Sequence, residues 1–160
     1  MRNDVKPIPE GFHTLTPYLI VRDAPKAIEF YKNAFEAREI SRSIGMDGTS
    51  ILHASLKIGD SIIMLSDEFP DMNCHSPQSL GGSSITIHMY TNDVDSVFNK
   101  VVSLGATILM PLMDTFWGDR YGQVLDPFGH RWSLATRKRD LSQDEIKNAG
   151  KAFFLKMQSG

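Results

Sequence analysis

The sequence predicts an α+β protein: two tandem βαβββ modules whose curved sheets surround a cavity, followed by a C-terminal helix. Three observations predict it. The order strand, helix, strand, strand, strand occurs twice; an aspartate stands before each helix, Asp23 and Asp93 (93 − 23 = 70); and one helix per four strands leaves a sheet face uncovered. The same shift aligns Thr16 with Thr86, Tyr18 with His88, Val21 with Thr91 and Ala34 with Leu104.

In chain order, residues 1–12 carry Pro7, Pro9 and Gly11 and read as an extended arm. Thr14 to Val21 alternates as a strand, with Leu15, Leu19 and Val21 on one face and Thr14, Thr16, Tyr18 and Ile20 on the other. Asp23 caps a helix that has Pro25 in its first turn and runs to about Phe35, with Ala24, Ala27, Ile28, Tyr31, Ala34 and Phe35 at helical spacing. Glu39–Ile44, Ser50–Ile58 and Ser61–Ser66 follow as strands, separated by the turn signals Met46-Asp47-Gly48 and Gly59-Asp60.

Two prolines, a Gly-Gly pair and small polar residues mark residues 67–83 as a linker, with its core at 69–82. The second module begins with the alternating strand Ser84–Thr91. Asp93 then caps a helix from Val94 to Leu104 that Gly105 ends, and Ala106–Met110, Gly122–Leu125 and Arg131–Ala135 supply three strands. Asp126-Pro127-Phe128-Gly129 has turn chemistry and joins the last two. Modules at about 13–68 and 83–137 thus form one domain over residues 1–140, and 141–160 is a helical extension. Ser142-Gln143-Asp144-Glu145 is a capping box for that helix, whose Ile146, Ala149, Phe153 and Met157 need cover from the domain or from a second subunit.

Composition narrows the classes of function. The net charge is -2, and no basic run exceeds Arg137-Lys138-Arg139, which argues against a nucleic-acid partner. The single cysteine, Cys74, excludes an intramolecular disulfide and a multi-cysteine zinc site, and suits a reducing cytoplasm. No stretch approaches the roughly 18 apolar residues of a membrane span. A soluble cytoplasmic protein with no membrane partner is expected.

Four segments in this order carry a resemblance: PEGFHTLTPYLIVRDAPKAIEFYKNAF, LHASLKIGDSIIMLSDEFP, ITIHMYTNDVD and FWGDRYGQVLDPFGHRW, together within residues 9–140. With them the chain resembles the vicinal oxygen chelate superfamily, which groups glyoxalase I, extradiol dioxygenases, fosfomycin-resistance enzymes and bleomycin-resistance proteins. More narrowly it is similar to the PhnB-like, glyoxalase-like branch. The resemblance implies two modules closing around a shared cavity, often in a homodimer. It also implies, in metal-dependent members, a divalent ion held by one residue from the first and one from the last strand of each module.

The matching positions here are Thr16, Met64, Thr86 and Ser133. Three neutral hydroxyls and a thioether lack the charge and basicity a divalent cation requires, so neither a metal nor another cofactor is expected. A displaced site using His88 with Tyr18, His53 or Glu68 would need paired His/Glu spacing, which is missing. What remains is a small-molecule cavity lined by Thr16, Tyr18, Met64, Thr86, His88, Tyr90 and Ser133.

Alternation puts His88 on the Thr86/Tyr90 face, where it is either a general base or binding partner, or a wall histidine bonded to Tyr18 or a hydroxyl. His53 faces either cavity or solvent, while His13 and His130 belong to the arm and the turn. In Phe116-Trp117-Gly118-Asp119-Arg120-Tyr121-Gly122, a loop rich in aromatics and glycine, Trp117 with Phe116 can stack on a planar ligand, Arg120 clamp an anionic group and Tyr121 donate a hydrogen bond. The structural alternative has Trp117 and Tyr121 closing the sheet edge and Arg120 paired with Asp119 or Asp126. Cys74-His75 in the linker is a free thiol beside a histidine rather than a catalytic pair.

Three functions compete: a metal-independent small-molecule-binding protein or enzyme of the PhnB-like type, an antibiotic-sequestering protein of the bleomycin-resistance type, and a lactoylglutathione-lyase-like isomerase, which the absent ligands oppose.

Overall fold

A computed structural model describes residues 5–159 of the chain. The elements are β1 (Tyr18–Val21), α1 (Ala24–Phe35), β2 (Arg38–Ile44), β3 (Ile51–Ile58), β4 (Ser61–Asp67), α2 (Pro77–Leu80), β5 (Thr86–Tyr90), α3 (Val94–Ser103), β6 (Thr107–Asp114), β7 (Asp119–Leu125), β8 (Arg131–Arg137) and α4 (Gln143–Gln158). They divide into two compact units. One holds the described residues up to Ser84 with Phe128–His130, and the other holds Ile85–Pro127 and the described residues from Arg131 onward.

Each unit contains one open four-stranded sheet, and the strand orders match: β1-β4-β3-β2 in the first and β5-β8-β7-β6 in the second. In both, the opening strand lies parallel to the closing strand of its module and the remaining pairs are antiparallel. The duplication read from the sequence is therefore topological as well as sequential. The registers Tyr18↔Met64 and His88↔Ser133 occupy equivalent places (88 − 18 = 70; 133 − 64 = 69).

The helices form where capping chemistry allows. Asp23 accepts from the Lys26 amide and Asp93 from the Ser96 amide, with nearly identical cap dihedrals. In the first unit α1 buries Ala27, Ile28, Tyr31 and Ala34 against Leu19, Val21, Ala54, Leu56 and Leu65. Burying each large aliphatic side chain contributes about 1.5–3 kcal/mol. Phe128, which belongs to this unit, sets its ring edge-on to Phe30 and tilted against Tyr31. In the second unit Val94, Phe98 and Val101 of α3 are buried, as are Val124, Trp132 and Leu134 of the sheet.

Helix and sheet are also tied through polar atoms. Asp67 accepts from the Ala24 amide (2.8 Å) at the start of α1 and from the Ile51 amide (2.7 Å) at the start of β3. At the equivalent place in the second unit, Thr136 Oγ1 accepts from the Val94 amide (2.9 Å) and donates to the Thr91 carbonyl (2.7 Å). One unit uses a carboxylate and the other a neutral hydroxyl for the same first-turn helix amide, which has no partner within its helix.

Several expectations require correction. The first strand begins at Tyr18, so Leu15 is 86 % exposed and Thr16 lies outside the sheet. Pro17 is the reason: it has no amide to donate and contributes only its carbonyl, which accepts from the Met64 amide. Of the arm expected over residues 1–12, residues 1–4 lie outside the described residues, and 5–12 carry neither helix nor strand. The linker is structured, with a 3₁₀ turn at Pro70–Met72 and the short α2 capped by Ser76.

Glu68 holds that linker in place. Its Oε2 accepts from the Ser76 amide (2.9 Å) and Ser79 Oγ (2.7 Å), and its Oε1 from Arg22 Nε (3.3 Å). The Ser76 amide above all, then the Ser79 hydroxyl, lower the Glu68 pKa to about 2.

The crowded loop before the last hairpin is shorter than expected. Strand β7 already begins at Asp119, leaving a tight turn closed by the Gly118 amide on the Thr115 carbonyl. Gly118 has φ +101°, and a Cβ there would stand 2.7 Å from the Arg139 carbonyl oxygen, so only glycine fits. Strand β6 runs on past Met110 to Asp114, with register shifts on both sides of Met110.

The capping box on α4 forms as read, with Ser142 and Glu145 bonding reciprocally. It meets the unit at Phe116, whose ring lies against Phe153 and Phe154 and over Gly150, where an added Cβ would stand 3.1 Å from Phe116 Cε2. The expected stripe is only partly covered: Ile146 and Ala149 are half-buried, while Phe153 and Met157 are exposed.

Candidate functional site

Strand alternation in the second unit decides which side chains share a surface. Ile87 and Met89 of β5 are half-buried, whereas Thr86, His88 and Tyr90 are exposed on the opposite face. Paired positions carry that face across the sheet: Ser133 lies beside His88, Gln123 beside Ser133, Tyr121 beside Ala135 and Asp119 beside Arg137. The open face therefore gathers His88, Tyr90, Tyr121, Gln123 and Ser133, five polar or aromatic side chains from three strands.

His88 Nδ1 is 2.7 Å from Ser133 Oγ, and Ser133 is buried. The His88 ring meets Tyr90 edge-on at 4.6 Å and stacks near-parallel with Tyr121 at 6.0 Å. Tyr121 in turn meets Trp117 edge-on at 5.6 Å, and its hydroxyl accepts from Gln123 Nε2 (2.7 Å). Two aromatic neighbours and one hydroxyl thus fix the imidazole, whose Nε2 has no hydrogen-bond partner among the described residues.

Asp119 anchors the rim of this surface. It is 5 % exposed, and its Oδ2 accepts both from Tyr90 OH (3.0 Å) and from Trp117 Nε1 (3.1 Å). The hydrogen bond to Asp119 raises the Tyr90 pKa above its ordinary value, with burial and the Asp119 charge adding and Arg137 opposing. Trp117 keeps 37 % of its surface exposed, so its ring remains accessible although its N–H is committed.

Arg120 does not join this surface. Adjacent strand residues face opposite ways, and Arg120 makes a bidentate pair with Asp95 of α3 (Nε to Oδ2 2.7 Å, Nη2 to Oδ1 2.8 Å) and a longer contact with Asp114. Those carboxylates, Asp95 first, raise its pKa. The expected anion clamp is a helix-to-sheet tie, and its partners are neither Asp119 nor Asp126. Asp126 instead accepts from Trp132 Nε1 (2.9 Å).

The first unit carries a related but separate cluster. Tyr18 OH and His53 Nδ1 are 3.0 Å apart, and His53 Nε2 is 3.2 Å from Ser55 Oγ. Met64 is half-buried in register with both Tyr18 and Ser55. Here the histidine belongs to β3, where sequence parity left its direction open, and both ring nitrogens are engaged. His130 Nε2 bonds the Ile20 carbonyl (3.0 Å), and Cys74 is half-buried in a bridge to Phe69, both structural placements.

The donors at the positions implied for a metal do not fit one. Ser133 Oγ is committed to His88, Thr16 stands outside the strand, and Thr86 and Met64 offer only a neutral hydroxyl and a thioether. Among the described residues no three His, Cys, Asp or Glu side chains gather in a way that could hold an ion.

Sequence reasoning missed two side chains at the end of the open face. Tyr90, Thr91, Asn92, Thr136 and Arg137 line a groove of about 660 Å³. Asn92 and Arg137 lie just beyond the strand ends expected at Thr91 and Ala135, where no periodicity signals them.

Comparisons with known proteins agree with this architecture. Protein Rv0887c of Mycobacterium tuberculosis (strain ATCC 25618 / H37Rv) is 46% identical over 138 residues, covering 84% of this chain and 81% of that protein. The structure of the Arabidopsis thaliana gene product At5g48480 matches with a TM-score of 0.62 and 27% identity, over 78% of this chain and 98% of that one. A structure from Bacillus cereus described as a putative 3-demethylubiquinone-9 3-methyltransferase, PhnB protein, matches with a TM-score of 0.61 and 21% identity, over 78% and 99%, and so shares the fold. No helix among the described residues is long and apolar enough to cross a membrane. The family model of the Glyoxalase/Bleomycin resistance protein/Dioxygenase superfamily matches residues 11–134, and with two matching βαβββ units behind that match the chain belongs to this superfamily.

Proposed function

We propose that the protein binds a small, partly aromatic molecule without a metal ion, on the open sheet face that carries His88, Tyr90, Tyr121 and Ser133, with Trp117 at its rim. The observation that carries this reading is the His88–Ser133 hydrogen bond of 2.7 Å, at a position where metal-dependent relatives would need a ligand. A serine held by an imidazole is poorly suited to a divalent ion. The same bond orients a ring flanked by Tyr90 and Tyr121, an arrangement suited to planar organic surfaces.

His88 supplies an imidazole nitrogen able to accept or donate one hydrogen bond, and the tyrosine and tryptophan rings supply contact area. Positioning follows from this geometry, and a reaction does not have to. The test is ligand-observed and amide-detected NMR with planar aromatic fragments, alongside thermal melts with Ni²⁺, Zn²⁺ and Mn²⁺. Shifts at His88 and Tyr121 with an unchanged melting midpoint in metal are expected. Stoichiometric metal in the purified protein, or fragments that perturb no residue of this face, would overturn the reading.

A further inference from the structure

We infer that the groove beside Tyr90 is a subsite for an oxyanion, a carboxylate or phosphoryl group, seated on Arg137 and Asn92 and belonging to the ligand of the open face. The inference rests on the proposed function for the body of that ligand, and on the groove itself for the charged end.

The groove is continuous with the open face because Tyr90 belongs to both. Arg137 stands in register with Asp119 and on the same parity as Ala135 and Tyr121, so it emerges on the same side of the sheet. Its lining of Tyr90, Thr91, Asn92, Thr136 and Arg137 contains one cation and no carboxylate. Two of the polar groups are already committed: Tyr90 OH donates to Asp119, and Thr136 Oγ1 bridges the Thr91 carbonyl and the Val94 amide. Those bonds hold the walls and leave the donors of Asn92 and Arg137 for a ligand.

The Asn92 side-chain amide makes no hydrogen bond among the described residues. Arg137 has one partner, Asp140, three residues on, whose side chain is 89 % exposed. An ion pair this open to water is weak, so it yields readily to a competing oxyanion. The guanidinium fork matches carboxylate and phosphate oxygens bidentately, and an amide beside it adds a third donor. The neighbouring acids offer no rival: Asp119 is held by Tyr90 and Trp117, Asp93 by Ser96, and Asp95 by Arg120.

The experiment titrates the full chain with benzoate, phenyl phosphate and the uncharged benzyl alcohol, reading amide, Arg Nε and Asn Nδ2 signals by NMR. Both anions should bind about ten-fold more tightly than the alcohol and shift Arg137 and Asn92. Arg137→Gln should erase that preference while leaving the His88 and Tyr121 shifts, and Asp140→Asn should strengthen anion binding by removing the competitor. Equal binding of alcohol and anions, with shifts at His88 and Tyr121 alone, would overturn the subsite and leave the proposed function standing. Anion shifts at Arg137 and Asn92 with none at His88 or Tyr121 for any probe would support the subsite and overturn the proposed ligand face.

Discussion

Ser133 Oγ lies 2.7 Å from His88 Nδ1 across the parallel pair β5–β8, so a buried hydroxyl sets the direction of an exposed imidazole. Ser133→Ala removes one hydrogen bond and should cost about 1 kcal/mol of stability. The larger effect should appear in His88 itself, whose ring NMR signals should broaden or average as the imidazole gains rotamers. A variant with unchanged ring signals would show that Tyr90 and Tyr121 alone hold the ring.

Arg120 is assigned to the fold rather than to a ligand. Arg120→Ala should lower the denaturant midpoint and leave fragment binding at His88 intact, because its guanidinium is bound to Asp95 and Asp114 on the helix side. Arg120→Lys should recover only part of the stability, since one ammonium cannot reproduce the bidentate geometry. A loss of binding affinity without a loss of stability would reverse this assignment.

Gly122 has no room for a side chain. A Cβ there would stand 2.7 Å from Phe98 Cε2 and 3.1 Å from the Met110 carbonyl oxygen. Gly122→Ala should cost about 1–3 kcal/mol, as overpacked cores do. Combined with Phe98→Leu, the loss should be smaller than the sum of the two single losses, which a double-mutant cycle in urea measures. Strict additivity would mean that the clash is relieved elsewhere.

The linker should be sensitive to acid through Glu68. Its folded pKa is lowered to about 2 from an ordinary 4.5, so its contribution is complete above 4.5 and fades as pH falls toward 2. Between those limits wild type should lose stability more steeply than Glu68→Gln, whose linker is weakened at every pH. Parallel unfolding curves across that interval would place the acid sensitivity in another group.

What could be read from the chain was whatever depends on near neighbours. The caps Asp23 and Asp93, the Ser142–Glu145 box and the parity of His88 all follow from residues within four positions, and all appear as read. The choice of a hydroxyl as the partner of His88 was one of two open readings, and the register His88↔Ser133 selects it. What escaped was set by distant partners. Arg120 finds Asp95 twenty-five positions away on a helix whose rotation no periodicity gives. Glu68, weighed from the sequence only as a member of a displaced metal site, is instead bonded by Ser76 and Ser79, eight and eleven positions on. Thr16 was lost to one proline, because the alternation continues through Pro17 although the strand does not.

The alternation along β7 has a consequence for anyone redesigning this protein. Arg120, Gly122 and Val124 serve the helix side, while Asp119, Tyr121 and Gln123 serve the open face. Tyr121 and Gln123 can therefore be varied to recruit new molecules while the even-numbered positions, with the buried anchor Asp119, are kept as scaffold. Within the strand, what recognises and what keeps the protein folded are thus set apart largely by the parity of residue numbers.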